Sequence, residues 1–287
     1  MTKIRIAQTG CGAMGLRHLR GHIELNKITD TLDLIALCDV NLTAAEKAAS
    51  EAEENLGKRP NVYTNFDEML ETEKDLDAVD IVTDPGLHHV LALKALDAGV
   101  HVAVEKPMAV TVRACRKMIE AAKHSGRYIS VFENYRRDPL NRLTKAILDS
   151  GEIGDPRLMV NVKTWGAEML RQVTHWRHLK LRGIWLLEYG VHNADLFLYL
   201  MGEVDTVYAE TNLWDIEGQK KVQPLSSEMA ELYDHGVRED DMALAIIKFK
   251  SGAMGHFAMS LSTPGESTLT DIIYCSNGSL KLPGSRT

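Results

Sequence analysis

The sequence of this 287-residue chain predicts an α/β fold with a doubly wound parallel sheet in its first half. Short apolar segments alternate there with helical segments, as in parallel strands joined by helical crossovers. A glycine-rich motif lies between the first predicted strand and the first predicted helix. After residue 202 the pattern changes to strand-like segments with the alternation and turn spacing of an antiparallel sheet. We therefore expect two domains, residues 1–135 and residues 136–287, the second of class α+β.

Composition excludes several classes of partner. The net charge is −7 and no basic stripe is visible, which disfavours nucleic-acid binding. The four cysteines form no C-x-x-C pair, which favours a reducing compartment. No apolar run approaches the roughly 20 residues of a membrane span, and the strand pattern from Lys3 leaves no room for a signal peptide. We expect a cytoplasmic protein.

The glycine motif directly follows the strand Ile4–Gln8 and precedes a helix that extends to about Asn26. It has the spacing G-x-G-x-x-G and consists of Gly10, Cys11, Gly12, Ala13, Met14 and Gly15. In such a unit the first glycine makes a tight turn, the second admits a pyrophosphate, and the third allows close packing of helix and strand. The helix N-terminus offers unpaired N–H groups to the phosphates. The motif predicts a dinucleotide site of Rossmann type.

An acidic residue ends the second predicted strand, residues 34–38. Asp39 is placed to accept hydrogen bonds from the adenosine ribose and to repel a 2′-phosphate, so NAD is favoured over NADP. No arginine follows it directly. The alternative is that Asp39 is simply a turn residue.

Further strands and helices follow at short intervals. Thr43 to Glu46 has the pattern of a capping box, and Asn65 and Thr111 are placed to cap later helices. The complete pattern gives five parallel strands in about 135 residues, the third at 78–82 and the last at 128–132.

The segment 101–107, His-Val-Ala-Val-Glu-Lys-Pro, reads as a buried strand that ends in two charged residues. Open α/β sheets hold ligands at this end of their strands. Pro107 forces a turn, and a Lys-Pro bond can be cis at modest cost. Glu105 and Lys106 are therefore candidate site residues, although a solvated strand end is an alternative.

Asp138 and Pro139 predict the start of one helix in the second half, and a second helix is expected over residues 184–201. Its apolar residues at helical spacing are predicted to face a core: Leu187, Val191, Ala194, Leu198 and Met201. Glu188, His192, Asp195 and Tyr199 align along one face, which is either the wet side of the helix or a functional stripe. A buried Glu188–His192 pair would suit acid–base chemistry.

These residues together resemble the glucose–fructose oxidoreductase/inositol dehydrogenase (Gfo/Idh/MocA) family. The resemblance rests on the glycine motif, Pro85 with His88, Glu105-Lys106-Pro107, Asn134-Tyr135-Arg136, Gly151 to Gly154, and Gly190 to Gly202 with its Gly-x-His-x-x-Asp. It implies NAD or NADP as cofactor, an open, mainly antiparallel second sheet, and chemistry carried by Lys106 and His192. Cofactor contacts are implied for Ala13, Met14, Thr83, Pro85, His88 and Glu105. The family usually has aspartate where this chain has Glu188.

The function expected from the resemblance is oxidation of a secondary alcohol of a sugar, sugar derivative or cyclic polyol by NAD, with NADP less favoured. His192 is the expected base, Lys106 the alkoxide stabiliser, and Glu188 the group that orients His192. Expected substrate-binding residues are Lys106, Arg136, Trp165, Trp176, Arg177, Glu188 and His192. His175 and His178 lack the partners of a zinc site, so no metal is expected.

Two alternatives stay open: a glycoside hydrolase that keeps NAD bound and oxidises its substrate transiently, and a non-catalytic binding protein. A homo-oligomer, dimer or tetramer, is implied by the resemblance alone. The chain is shorter than members usually are, so the last strands of the second sheet are absent or the chain is truncated.

Overall fold

The computed structural model describes residues 3–164, 185–214, 240–260, 262–263 and 265–282. The chain divides into two compact units, residues 1–132 and residues 133–287. None of the helices in the described ranges is long and apolar enough to cross a membrane.

The first unit is a six-stranded parallel sheet with helices between its strands. The strand order is β3-β2-β1-β4-β5-β6, the order of a dinucleotide-binding domain. Its strands are β1 (Ile4–Thr9), β2 (Leu32–Cys38), β3 (Asn61–Tyr63), β4 (Ala78–Ile81), β5 (His101–Glu105) and β6 (Ile129–Phe132). Its helices are α1 (Ala13–Thr29), α2 (Leu42–Leu56), α3 (Phe66–Thr72), α4 (Pro85–Asp97) and α5 (Val112–Ser125). The predicted doubly wound sheet is confirmed.

Two details of the first unit differ from the sequence prediction. Strand β3 was not predicted, because one exposed and two half-buried residues at a sheet edge show no periodicity; the expected third strand is therefore the fourth. The predicted capping box at Thr43 is also wrong. Asn41 caps α2 instead, by accepting a hydrogen bond from the Ala44 amide at 3.2 Å, so Thr43 lies inside the helix.

Small residues bring helix α2 close to the sheet. Four alanines one turn apart or adjacent are fully buried against apolar residues of β1 and β2: Ala45, Ala48, Ala49 and Ala52. The other face of the sheet packs against α4 and α5 through a cluster that includes Val102 and Val104 of β5. The strand leading to Glu105 is thus anchored through its valines on one face, while Ala103 on the other face is half-buried.

In its described residues, the second unit is a mixed sheet with two helices. It begins with a 3₁₀ turn (Tyr135–Arg137) and α6 (Pro139–Ser150), and its later helix is α7 (Trp185–Met201). The strands are β7 (Pro156–Thr164), β8 (Val204–Asn212), β9 (Met242–Phe249), β10 (Met254–Ser260), β11 (Thr268–Cys275) and β12 (Ser279–Lys281). The order is β12-β11-β7-β10-β9-β8, in which only the central pair β7–β10 is parallel. The predicted α+β class and mainly antiparallel sheet are confirmed.

The predicted core face of helix α7 is mostly wrong, since of its five residues only Met201 is buried in the core of the unit. Leu198 is 50% exposed and Ala194 is exposed, whereas Leu196, Phe197 and Leu200 are buried in the core of the unit. The helix is apolar nearly all round, so periodicity alone does not define its buried side. As a result, Glu188 and His192 do not lie on a wet surface; they are 3% and 4% exposed.

Candidate active site

The glycine motif forms the loop between β1 and α1. Gly10 has φ +95°, and a Cβ there would lie 2.2 Å from the carbonyl oxygen of Val82. A Cβ on Gly15 would lie 2.0 Å from the carbonyl oxygen of Gly10, whereas one on Gly12 would meet no atom within 4 Å. Gly10 and Gly15 are therefore required by the fold. Gly12 leaves open space at the N-terminus of α1, which fits the approach of a pyrophosphate.

A buried glutamine braces this loop. The side-chain amide of Gln8, at the end of β1, donates to the carbonyl oxygens of Gly10 at 2.9 Å and Gly15 at 3.0 Å. Sequence reasoning missed Gln8. Its signal was weak, because the strand also contains the polar residues Arg5 and Thr9.

Asp39 directly follows β2 and contacts the same loop. One carboxylate oxygen accepts from the Cys11 amide at 2.7 Å, and the other accepts from the Asn41 amide at 2.8 Å. Each oxygen has a second lone pair, so these turn contacts are compatible with ribose binding. Burial, with Asp39 and Cys38 adding to it, raises the pKa of the Cys11 thiol to about 12, which makes this cysteine unreactive.

A buried histidine links the loops that follow β4 and β5. The ring nitrogens of His88 lie 2.9 Å from the carbonyl oxygen of Pro107 and 3.1 Å from that of Thr83. Pro85 is the first residue of α4, and the Lys106–Pro107 peptide is cis. His88 thus braces the two loops that carry the predicted residues Thr83, Pro85 and Lys106.

The first unit also contains a cluster of four ionisable residues that sequence reasoning did not find. Asp80 of β4 is 0% exposed, and one of its carboxylate oxygens lies 2.9 Å from Nδ1 of His18 and 2.9 Å from Nε2 of His22. Nε2 of His18 lies 3.8 Å from Glu105. Burial by itself lowers the pKa of His18, but the two carboxylates outweigh it and raise that pKa to about 9. The spacing of two histidines four residues apart on α1 was the available signal.

In the second unit, His192 is held by a carboxylate and an aromatic ring. Both oxygens of Glu133 lie 2.8 Å from Nδ1 of His192. The ring of Tyr135 stacks on the imidazole with centroids 4.0 Å apart and an interplanar angle of 7°. When Nδ1–H donates to Glu133, the neutral ring carries its lone pair on Nε2, which is the tautomer of a general base.

Comparison with known proteins now identifies the chain's relatives. Residues 4–133 match the sequence profile described as an oxidoreductase family with an NAD-binding Rossmann fold, and residues 141–281 match the GFO/IDH/MocA C-terminal domain. The chain belongs to the Gfo/Idh/MocA oxidoreductase family.

Similarity to individual members of this family extends over much of the chain. Levoglucosan dehydrogenase of Pseudarthrobacter phenanthrenivorans is 27% identical over 296 residues, 98% of this chain and 73% of that protein. Inositol 2-dehydrogenase of Salmonella typhimurium is 32% identical over 199 residues, 68% of this chain and 53% of that protein. The crystal structure of the WlbA dehydrogenase from Bordetella pertussis with NADH and UDP-GlcNAcA superposes with a TM-score of 0.77 at 25% identity, covering 97% of this chain and 77% of that one.

These similarities confirm three predictions for this Gfo/Idh/MocA oxidoreductase. The family is the predicted one, the first domain is an NAD-binding Rossmann fold, and the enzyme class is an NAD-dependent oxidoreductase. The aligned part spans only about half of the inositol dehydrogenase, 53% of its length.

The carboxylate that the structure places on Nδ1 of His192 is Glu133, not a residue predicted from the family motif. Glu188 lies one helical turn before His192 and is also buried. Glu133 follows directly after β6. An acidic residue at the end of a strand was therefore the sequence feature that could have identified it, as it identified Asp39 and Glu105. Its distance from His192 in the chain, 59 residues, concealed the pairing.

Two basic residues form ion pairs within the second unit: Arg136, which was predicted to bind substrate, and Lys163, which was not. Two nitrogens of Arg136 donate hydrogen bonds to Asp195 of α7: Nε to Oδ2 at 2.7 Å, and an Nη to Oδ1. The guanidinium of Arg136 also lies 5.5 Å from the ring centroid of Tyr199. The bond to Asp195 raises the pKa of Arg136. Lys163 of β7 lies 3.6 Å from Asp271 and 6.0 Å from the Tyr135 ring centroid.

The predicted substrate-binding residues Trp165, Trp176 and Arg177, and the paired histidines His175 and His178, lie outside the described residues. Within the described ranges, no group of three or more His, Cys, Asp or Glu side chains is arranged to hold a metal ion.

Proposed function

We propose that this protein is an NAD-dependent dehydrogenase that oxidises a secondary alcohol of a sugar, sugar derivative or cyclic polyol. The observation that carries the proposal is the buried Glu133–His192 pair, with both carboxylate oxygens 2.8 Å from Nδ1. Removing a hydride from an alcohol carbon requires removal of the hydroxyl proton, and a histidine with a fixed tautomer is suited to accept it. The names of the curated relatives, a levoglucosan and an inositol dehydrogenase, support the substrate class.

In this mechanism Nε2 of His192 accepts the hydroxyl proton. Glu133 stabilises the imidazolium that results, and the stacked Tyr135 ring fixes the imidazole plane. Lys106 donates a hydrogen bond to the hydroxyl oxygen and stabilises its developing negative charge. Glu188 is a second buried carboxylate, one helical turn before His192, and we propose that it contacts the substrate or helps to orient the histidine.

The first unit binds and orients the cofactor. Bound NAD supplies the hydride acceptor. The helix α1 N-terminus at Gly12 receives the pyrophosphate, Asp39 receives the adenosine ribose, and Glu105 receives the nicotinamide ribose. Ala13, Met14, Thr83, Pro85 and His88 belong to the loops that form this surface.

We further propose that the protein is cytoplasmic and forms a homo-oligomer through its second sheet. Several apolar side chains on one face of that sheet are exposed, on strands β8, β9, β10 and β11: Tyr208, Leu244, Ile246, Met254 and Tyr274. Exposed apolar groups on one sheet support a subunit contact, since monomers rarely leave such patches uncovered.

The test is a spectrophotometric screen of NAD and NADP reduction with inositols, aldoses, anhydrosugars, amino sugars and glycosides. We expect NADH to accumulate with one sugar or polyol class and to fall by at least about a hundredfold in Lys106→Ala. Lys94→Ala is the matched control, because Lys94 is an exposed lysine of the same unit that pairs with Asp67.

The two alternatives give different results in this screen. A hydrolase that oxidises its substrate transiently releases free sugar from a glycoside without net NADH. A binding protein takes up NAD but turns over no substrate in the panel. Normal turnover by Lys106→Ala contradicts the role given to this lysine.

A further inference from the structure

The cluster of His18, His22, Asp80 and Glu105 has no part in the proton transfer just described, yet it lies beside the cofactor machinery. His18 belongs to the second turn of α1, the helix whose N-terminus receives the pyrophosphate. Asp80 lies one residue before the end of β4, and Glu105 is the last residue of β5 and precedes Lys106. The cluster therefore connects the phosphate-binding helix to the two strands that end at the nicotinamide side of the fold.

Charge balance in the cluster depends on His18. The side chains of Asp80 and Glu105 are 0% and 12% exposed, so both carboxylates are largely removed from water. His22 contacts only Asp80. His18 faces both acids, with Nδ1 toward Asp80 and Nε2 toward Glu105. Its ring also contacts the apolar ring of Phe132, with a centroid distance of 5.2 Å.

A neutral imidazole can donate only one N–H, so it can satisfy Asp80 or Glu105 but not both. The shorter contact, 2.9 Å, is the one to Asp80, and Glu105 at 3.8 Å is the partner that would be lost. A largely buried carboxylate that loses its cationic partner turns toward water. Glu105 then ceases to be an oriented acceptor.

We propose that His18 is a positioning residue for cofactor binding, which in its doubly protonated form holds Glu105 as an oriented carboxylate for the nicotinamide ribose. The proposal rests on the role given to Glu105 in the proposed function. The form of the enzyme that binds NAD well is then the form with His18 charged. Since its pKa is raised to about 9, affinity is constant near neutral pH and declines at alkaline pH.

The experiment measures NAD affinity of the full chain by calorimetry or fluorescence from pH 6 to pH 10, without any sugar. When only the protonated form binds, apparent affinity falls in proportion to its population, to about a tenth at pH 10. In His18→Gln we expect affinity to be about tenfold lower at pH 7 and the alkaline decline to disappear, since glutamine donates but does not titrate. His22→Gln is the matched control: it removes the other histidine from Asp80 and keeps the decline with its midpoint near pH 9.

Carbon-13 NMR of labelled histidine in the wild-type protein gives an independent reading, with one imidazole titrating near pH 9. A flat NAD affinity from pH 7 to pH 10 in the wild-type protein overturns the proposal, and so does an alkaline decline that persists unchanged in His18→Gln. The first of these results is obtained without a mutant that might misfold. A wild-type protein that binds no NAD at any pH contradicts the cofactor assignment instead, so the two failures are distinguishable.

Discussion

Glu133 directs both of its carboxylate oxygens at Nδ1 of His192, each at 2.8 Å. Glu133 is the first residue after β6, whereas His192 lies in the second turn of α7. A carboxylate in this position selects the imidazole tautomer with its lone pair on Nε2 and stabilises the protonated ring. The geometry makes Glu133 an orienting group of the proposed base.

Replacement of Glu133 tests this assignment. In Glu133→Gln the amide can donate to Nδ1 and so favour the tautomer that carries its proton on Nε2, which cannot accept a substrate proton. We expect kcat to fall on the order of a hundredfold to ten-thousandfold, with a smaller change in KM for the sugar. Steady-state kinetics on the substrate found in the screen measures the effect.

Glu188→Gln is the comparison that separates the two carboxylates. If Glu188 contacts substrate, its loss raises KM more than it lowers kcat. A kcat loss in Glu188→Gln that equals or exceeds the loss in Glu133→Gln would return the orienting role to Glu188, as the family motif predicts.

The glycine motif yields a paired prediction, because its glycines are needed for different reasons. Gly15→Ala places a Cβ 2.0 Å from the carbonyl oxygen of Gly10, so we expect a loss of stability of more than about 2 kcal/mol. Gly12→Ala meets no atom within 4 Å and has φ −71°, which alanine adopts without strain. We expect Gly12→Ala to melt like the wild-type protein but to bind NAD at least about tenfold more weakly.

Thermal unfolding and NAD titration of the two variants provide the check. Gly12→Ala with unchanged NAD affinity would mean that the pyrophosphate does not pass close to this residue.

Cofactor preference is predicted to depend on the charge of Asp39. Asp39→Asn keeps an oxygen that can accept from the Cys11 amide but removes the negative charge that repels a 2′-phosphate. We expect the ratio of kcat/KM for NADP to that for NAD to rise by about tenfold or more. Asp33→Asn, which removes the same charge at the opposite end of β2, leaves the ratio unchanged; an equal rise in both variants would show a general charge effect.

Stability is predicted to fall at alkaline pH through His18. The native pKa of about 9 lies above the ordinary histidine value near 6.5, so the native state retains a proton that the unfolded chain releases. The contribution of His18 to the free energy of unfolding is therefore complete below about pH 6.5 and is lost as pH rises through about 9. We expect Tm to fall by at least about 2 °C between these values in the wild-type protein.

In His18→Gln this part of the pH dependence disappears, whereas His124→Gln, on an exposed face of α5, retains it. A wild-type Tm that is level from pH 6.5 to pH 9 contradicts the raised pKa of His18.

The sequence by itself determined the fold of the first unit and its cofactor. Glycine spacing, the alternation of buried strands with capped helices, and the acid after β2 are local signals, and each acts through the backbone geometry of a few consecutive residues. For the same reason Asn65, Thr111 and the Asp138-Pro139 pair mark helix starts that the structure confirms. Local signals did not determine strand β3 or the buried side of α7. Strand β3 has too few residues to show a pattern, and most faces of α7 are apolar.

Only the tertiary structure decided which polar groups meet. Glu133 and His192 are 59 residues apart, and His18 and Asp80 are 62 residues apart, so no helical or strand periodicity relates them. Spacing along α7 could suggest only a neighbour on the same helix, Glu188. A buried imidazole takes its partner from whichever element packs against it, and that choice is set by the closure of the whole domain, which local sequence does not encode.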